Sequence, residues 1–594
     1  MYILGIPSFH HPGWTLVKDG RILLAIQEER VNRIKNYPVN CNLKKYPLIL
    51  GYYYILRHAN LTAKDINHIA IPTRIDNNTT TSYDANYIKK CFNSTFHKSE
   101  SLKQKLNAYK SIIKTVIKDG FKGNIHFIDH HTCHAAYTYY YSNFNDSAIL
   151  SVDGSGDDWP PEAIAGFIVL NKDFKKIFSF KVPHSLGHIY SNVTNKIFGE
   201  KSDGEEGKTM GLAPYGKPLT DLEFCKIKDG YVQATYSSTT KIKYDGLEPY
   251  ANTLGNRLEK IPTRPKRKWN LNSKEDRFYA DLAATVQRDL EKAIVFYSDL
   301  LKEKTKLENL CLTGGVALNS SANALIRRSG KFKNVFAAPA ANDAGTSAGA
   351  ALYLYYNVLE KESARQPINK DFLGFSYSNS DCLKTVKKYG LPFEKLSSRQ
   401  TLAVSCSEDL CAKKIIGLFN ESSEFGPRAL GHRSIIVDPR QAEMKDILNS
   451  RVKFREVFRP FAPAVLKFEA NKYFEFSDSP FMLFIANCKE EAIKKTPAIN
   501  HIDNTARLQT VDYNNQPFFD IITEFFKKTN IPVILNTSFN VAGEPIVETP
   551  SDAINCFLNT DIDVLYLNNI KINKKLISPS RKKIIKLKRI LRLI

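Results

Sequence analysis

Residues 273–315, SKEDRFYADLAATVQRDLEKAIVFYSDLLKEKTKLENLCLTGG, set a long amphipathic segment directly before a short apolar one. Phe278, Leu282, Val286, Leu290, Ile294 and Tyr297 recur at helical spacing across 274–304, and Ser273 with Asp276 three residues on can cap the start. NLCLTGG (309–315) then reads as a strand ending in Gly314 and Gly315, which let a ligand approach the backbone before the next helix begins. A long helix feeding a strand predicts an α/β domain.

Working outward, YILGI (2–6) and RILLAIQ (21–27) flank Lys18-Asp19-Gly20 and predict an opening β-hairpin. AILSVDG (148–154), KIIGLF (414–419) and IPVILN (531–536) are further strand candidates. The polar stretch LEKESARQPINKD (359–371) follows the helix-like AGAALYLYYNVL and marks a boundary. The expected order is a first domain over 1–360, a linker over 361–371, a second α/β domain over 372–578 and a tail over 579–594. No internal repeat is evident. The tail carries seven Lys/Arg and no acid in 581–594, with Ile584, Leu587, Leu591 and Ile594 at helical spacing. Such a helix suits peripheral contact with an anionic membrane, docking on a partner, or packing on its own protein.

A chain of 594 residues exceeds what one core supports, and 43% hydrophobic content is that of an ordinary globular protein. The formal net charge of +23 admits nucleic acid, anionic membrane or phosphorylated substrates as partners, or simple Lys-rich drift. Ten scattered cysteines without a C-x-x-C pair argue against zinc ribbons and a dense disulfide framework. With no apolar run near the ~18 residues of a membrane span and no secretory leader pattern, the expectation is a cytoplasmic enzyme.

In IDHHTCHAA, His130 and His134 stand four apart, so on a helix both imidazoles share one face, as a metal pair or as a structural pair. His131 points elsewhere. Asp153, where a strand runs into SVDGSGD, and Asp343, within AAPAANDAGTSAGAA, are carboxylates at glycine-rich turns, suited to metal or phosphate or to capping. DGEEGKTMGLAPYG (203–216) is not a P-loop, because only Glu205 and Glu206 separate Gly204 from Gly207. EFGPRALGHRSIIVDPR (424–440) and NSRVKFREVFRPFAP (449–463) fix Arg428, Arg433, Lys453, Arg455 and Arg459 among Gly, Pro and Phe with few acids nearby. Arginines held this way suit phosphate oxygens. Arg507, Asn536 and Ser538 extend the set beside later strands.

Taken in order, LGIPSFHHPGWTLVKDGRI, QEER, HHTCHAA, VDG, KTMGLAPYG, GGVALN, NDAGTSAGAAL, EFGPRALGHRS, KFREVFRPFAP and ILNTSFN resemble the O-carbamoyltransferase family of nodulation and antibiotic biosynthesis. The resemblance implies an N-terminal actin/sugar-kinase-like domain, similar to the tRNA threonylcarbamoyl transferase. It further implies a C-terminal YrdC-like α/β domain, similar to threonylcarbamoyl-adenylate synthase. It implies that carbamoyl phosphate and ATP, with Mg2+, give carbamoyl adenylate in the C-terminal domain. The carbamoyl group then passes to an acceptor hydroxyl at an N-terminal metal site. By motif, His130, His134, Asp153 and Asp343 would hold the metal, Fe2+ or another divalent ion, with His10 as polariser or base. Lys208, Gly314, Gly315 and Asn319 would hold the adenylate. Arg428, Arg433, Lys453, Arg459, Arg507, Asn536 and Ser538 would contact ATP and carbamoyl phosphate, Lys453 with a catalytic part.

This chain departs from the family's pattern at His11, where Asp is frequent, and at Glu421-Ser422, where Gly-Arg is frequent. Two other functions share the fold: tRNA-modifying threonylcarbamoyl transfer, and a catalytically silent nucleotide-binding scaffold. A hydrogenase-maturation carbamoyltransferase would carry C-x-x-C pairs, and this sequence has none. No nucleic-acid partner is expected. The acceptor, whether sugar, natural product or glycan, is not legible, and a homodimer is left open.

Overall fold

The computed structural model describes all residues except 9, 37–48, 77, 94–102, 104, 105, 108, 157–160, 183, 200–203, 229, 235–260, 363, 364, 366–370 and 580–594. The chain divides into two compact units, Met1–Asn32 with Asn36–Ile368, and Arg33–Lys35 with Asn369–Ile594. Most of the expected linker and nearly all of the basic tail lie outside the described residues.

In the first unit, β1 (Tyr2–Gly5), β2 (Gly13–Lys18) and β3 (Arg21–Gln27) form an antiparallel meander. The expected two-stranded hairpin is therefore three-stranded: the turn at Asp19 and Gly20, with φ of 48° and 77°, joins β2 to β3 rather than β1 to β3. His10-His11-Pro12 hides the intervening strand, because it breaks the apolar run just before GWTLVK. Beyond β1 lie β4 (His68–Ile71), β5 (Thr80–Asp84) and β6 (Asn124–Ile128), giving the order β3-β2-β1-β4-β6-β5, with β4 and β6 parallel to β1.

The second sheet repeats this plan. β7 (Ser147–Val152), β8 (Glu162–Leu170) and β9 (Asp173–Lys181) form another meander, β10 (Cys225–Lys228) and β11 (Tyr231–Ala234) make a separate ribbon, and β12 (Asn309–Thr313) and β13 (Asn334–Ala337) add parallel strands beside β7. The order β13-β12-β7-β8-β9 matches the first sheet strand for strand over its first five positions. The sequence shows no repeat, so this duplication corrects the expectation: hydrogen-bond topology is shared while the side chains have diverged. Two sheets of one topology agree with the α/β class expected for this unit.

Each copy ends in a helix, His130–Tyr141 after β6 and Thr346–Tyr353 after β13. The first is buried at every residue. The two helices touch at Gly349, where a Cβ would fall 1.8 Å from the Cys133 carbonyl oxygen, so only glycine allows this approach. The long helix Lys274–Thr305 is capped by Ser273 Oγ, which accepts from Asp276 N at 3.2 Å. Leu282, Val286, Leu290, Ile294 and Tyr297 of its stripe are buried, whereas Phe278 is exposed.

The second unit is α/β as well. Its strands are β14 (Glu394–Lys395), β15 (Ile416–Phe419), β16 (Arg433–Val437), β17 (Ala462–Leu466), β18 (Ile485–Asn487), β19 (Thr505–Arg507), β20 (Gln509–Val511), β21 (Val533–Ser538), β22 (Val564–Leu567) and β23 (Ile570–Asn573). Eight of them form one mixed sheet, β14-β23-β22-β15-β16-β21-β17-β20, and β18 pairs with β19. The strands expected at 414–419 and 531–536 are β15 and β21. Among the described residues no helix is long and apolar enough to cross a membrane, and no described cysteine is in a disulfide.

Candidate functional site

Asp129 starts the first site: its carboxylate accepts from Thr132 N at 2.8 Å and caps the helix, so His130 and His134 present their rings one turn apart. Asp153 stands one residue past β7, and Asp343 opens the turn before Thr346–Tyr353. Their atoms converge. Nε2 of His130 lies 3.5 Å from Asp153 Oδ2 and 3.7 Å from Asp343 Oδ1, and Nε2 of His134 lies 3.4 and 3.3 Å from the same two atoms. The four ligand atoms fall within 4.8 Å of one another, all buried.

Hydrogen bonds of this kind are shorter. Bonds of roughly 2.0–2.2 Å from one ion to nitrogen and oxygen would instead space neighbouring ligands by about 3.0–3.6 Å. Nε2 of His134 is a buried polar atom with no hydrogen-bond partner, as a metal ligand would be. Two imidazoles and two carboxylates suit a divalent transition ion. Surrounding groups aim the ligands. His130 Nδ1 lies 3.3 Å from the Pro72 oxygen, Asp153 Oδ1 accepts from Gly315 N at 3.1 Å, and the Ser8 hydroxyl lies 3.0 Å from Asp343 Oδ2. Burial alone would push Asp153 up, yet the two histidines hold it well below the usual carboxylate range. Burial likewise opposes charge on His134, and contact with Asp153 and Asp343 raises it.

The remaining first-unit candidates are placed as follows. His131 turns away to Ser151 Oγ at 2.8 Å and the Glu162 oxygen at 3.1 Å. Gly314 has φ 85° and would set a Cβ 2.2 Å from the Val152 oxygen, so the loop passes tightly behind Asp153. Asn319 caps Ser320–Arg328 by accepting from Ala322 N, and it exchanges two hydrogen bonds with Gln287. Lys208 pairs with Glu205 at 2.8 Å. His10 is exposed, its main-chain oxygen 3.1 Å from Ser8 Oγ.

The second unit gathers cations. Lys453 Nζ is buried and donates to Ser538 O, Asn540 O and Asn540 Oδ1 at 2.8–2.9 Å, with Ser538 Oγ at 3.3 Å. Arg455 and Arg459 act on it, and Arg428 and Arg507 lie near those arginines in turn. Burial and neighbouring Arg459 pull Arg428 down to about 10. Burial, then Arg428, Arg455 and Arg459, hold Arg507 well below the usual arginine value, and burial with Arg459 does the same to Arg455. Burial and Arg455 depress Lys453. Among the described residues Arg507 has no ion pair with a carboxylate, while Glu456 lies 3.5 Å from Arg459 and also favours charge on Arg455. Clustered cations that disfavour one another's charge suit an anionic ligand.

Two further residues of the expected contact set are hydrogen-bonded to the protein itself. Arg433 is fully buried, its guanidinium donating to the carbonyl oxygens of Asn420, His432, Phe375 and Glu421 and stacking 3.6 Å from the Phe419 ring. Asn536 donates to Ala429 O and Gln509 Oε1. Arg455 and Asn540 join the site without having been in the implied contact set. Their signal was proximity in sequence, Arg455 two residues after Lys453 and Asn540 two after Ser538.

Residues 2–352 match the family described as carbamoyltransferase N-terminus, and residues 407–574 the family described as carbamoyltransferase C-terminus. Nodulation protein NolNO of Sinorhizobium fredii is 34% identical across 97% of this chain and 81% of its own length. An uncharacterized protein of Synechocystis is 34% identical across 96% of this chain and 97% of its own. A crystal structure of full-length HypF in the phosphate- and nucleotide-bound form is similar over 61% of this chain and 56% of that one, at 13% identity and a TM-score of 0.33.

Proposed function

We propose that this chain, which belongs to the carbamoyltransferase family, is an ATP-dependent O-carbamoyltransferase that makes carbamoyl adenylate in residues 372–578 and transfers its carbamoyl group at the cluster in residues 1–360. The observation that carries it is the cluster of Arg428, Lys453, Arg455, Arg459 and Arg507, in which burial and like-charged neighbours depress Arg428, Lys453, Arg455 and Arg507. Carbamoyl phosphate and ATP bring the negative charge that such a set lacks.

The chemistry balances with one water. Carbamoyl phosphate is hydrolysed to carbamate and phosphate, and a carbamate oxygen attacks the α-phosphorus of ATP, expelling pyrophosphate. Arg428, Arg455, Arg459 and Arg507 grip phosphate oxygens, and Lys453, oriented by Ser538 and Asn540, adds a point charge where the leaving groups separate. Mg2+ accompanies ATP as in other phosphoryl chemistry. Arg433 and Asn536 brace the surrounding backbone.

In the first unit His130, His134, Asp153 and Asp343 would hold a divalent ion, Fe2+ among the candidates, which when bound supplies Lewis acidity to the carbamoyl oxygen. Ser8 orients Asp343, Gly315 N orients Asp153, and His10 takes the proton of the incoming hydroxyl. The Gly314-Gly315 turn and Lys208 receive the adenylate. The acceptor is a hydroxyl-bearing sugar, natural product or glycan, and the enzyme works in the cytoplasm. The basic sequence of the tail, 579–594, suits peripheral contact with an anionic membrane.

Pyrophosphate release from ATP by the metal-replete protein, with and without carbamoyl phosphate, tests this function. Release that requires carbamoyl phosphate is expected; none from well-folded protein would refute it.

A further inference from the structure

Arg428 stands between two glycines of left-handed φ, Gly426 at 138° and Gly431 at 118°, on the loop that joins Glu424 to β16. Such a loop is soft, and Arg459 repels its arginine. It is nonetheless closed into a ring. Glu424, 3% exposed, accepts on the single atom Oε1 from the main-chain N–H of Leu430, His432 and Arg433, at 2.8, 3.0 and 3.1 Å. The loop's carbonyls are held from outside: Ala429 O by Asn536, and Leu430 O by both Gln509 and Asn515 at 2.8 Å.

We infer that Glu424 is a positioning residue for anion binding, acting through Arg428; this rests on the anion-site assignment proposed above. Three charge-assisted bonds to one carboxylate oxygen fix where the loop's apex lies before any ligand arrives. The bound anion therefore meets an Arg428 already in place against like-charge repulsion and does not have to order the loop itself. A buried glutamate whose role was only to hold the fold would have no special tie to Arg428, and that difference is measurable.

The test uses the full chain and inorganic pyrophosphate as probe, with affinity read by calorimetry and folding by thermal melts. Glu424→Ala is expected to weaken pyrophosphate about tenfold, and less than about twofold when Arg428 is already alanine. Glu424→Gln keeps an accepting oxygen and should recover part of the affinity; it also carries the test if Glu424→Ala fails to fold. Equal losses in both backgrounds, or wild-type affinity in both Glu424 variants while Arg428→Ala binds weakly, would overturn the inference. Wild-type affinity in Arg428→Ala would instead overturn the anion-site assignment, and this inference with it.

Discussion

Nε2 of His134 lies 3.3 Å from Oδ1 of Asp343, and the two residues stand at corresponding places in a duplicated topology. His134 is in the first turns of the helix after β6; Asp343 opens the turn that leads into the helix after β13. The strands obey the same relation, with Ser8 just past β1 touching Asp343 and Asp153 just past β7 touching both histidines. The cluster thus lies where the two copies meet, and neither copy holds it alone.

If these four residues bind an ion, a divalent metal at a hundredfold excess over its dissociation constant should stabilise the protein by about 2.7 kcal/mol. His134→Ala and Asp343→Ala should abolish that stabilisation. Thermal melts of apo protein titrated with Fe2+, Mn2+ or Zn2+ check this, and an unchanged metal response in both variants would contradict it.

Gly349→Ala drives a methyl into the Cys133 carbonyl and forces apart the helices that carry the cluster. Overpacking of this kind costs about 1–3 kcal/mol or more. Denaturation and metal analysis together should show lower stability and weaker metal binding, because the clash separates His134 from Asp343.

Among the described residues Arg507 has no ion pair with a carboxylate, and Arg428, Arg455 and Arg459 lie near it. Arg507→Gln should therefore stabilise the unliganded protein by about 1 kcal/mol while weakening pyrophosphate at least about tenfold. A variant that loses stability without losing affinity would mark Arg507 as structural.

Glu28 is buried, accepting from Trp14 Nε1 at 2.7 Å and Gly51 N at 3.0 Å, and burial raises it to about 7 from an ordinary 4.5. A raised pKa favours the protonated folded state, so this stability is fully present below about pH 4.5 and lost as pH rises through about 7. The loss is on the order of 3 kcal/mol. Glu28→Gln should flatten the dependence of unfolding free energy on pH across that window; an unaltered slope would contradict it.

Local signals in the sequence reached far. The cap at Ser273, the stripe from Leu282 to Tyr297 and the spacing of His130 and His134 are all short-range, and each has its structural counterpart. What stayed hidden is long-range. The duplication leaves no trace because topology constrains hydrogen bonds rather than residue identity. Arg433 looked like Arg428 in the same motif, yet its strand position binds it to carbonyl oxygens, and nothing in local spacing marks which arginine of a motif is bonded to the backbone. Glu424 was invisible for the same reason, since its partners are main-chain N–H groups.

The division of labour between the two units is tested most directly by the His130→Ala, Asp343→Ala double variant, supplied with ATP and carbamoyl phosphate and assayed for pyrophosphate and, by mass spectrometry, for carbamoyl adenylate. Carbamoyl-phosphate-dependent pyrophosphate release should persist, with carbamoyl adenylate accumulating because its transfer is blocked. Loss of pyrophosphate release in a variant that melts like the wild type would contradict the account.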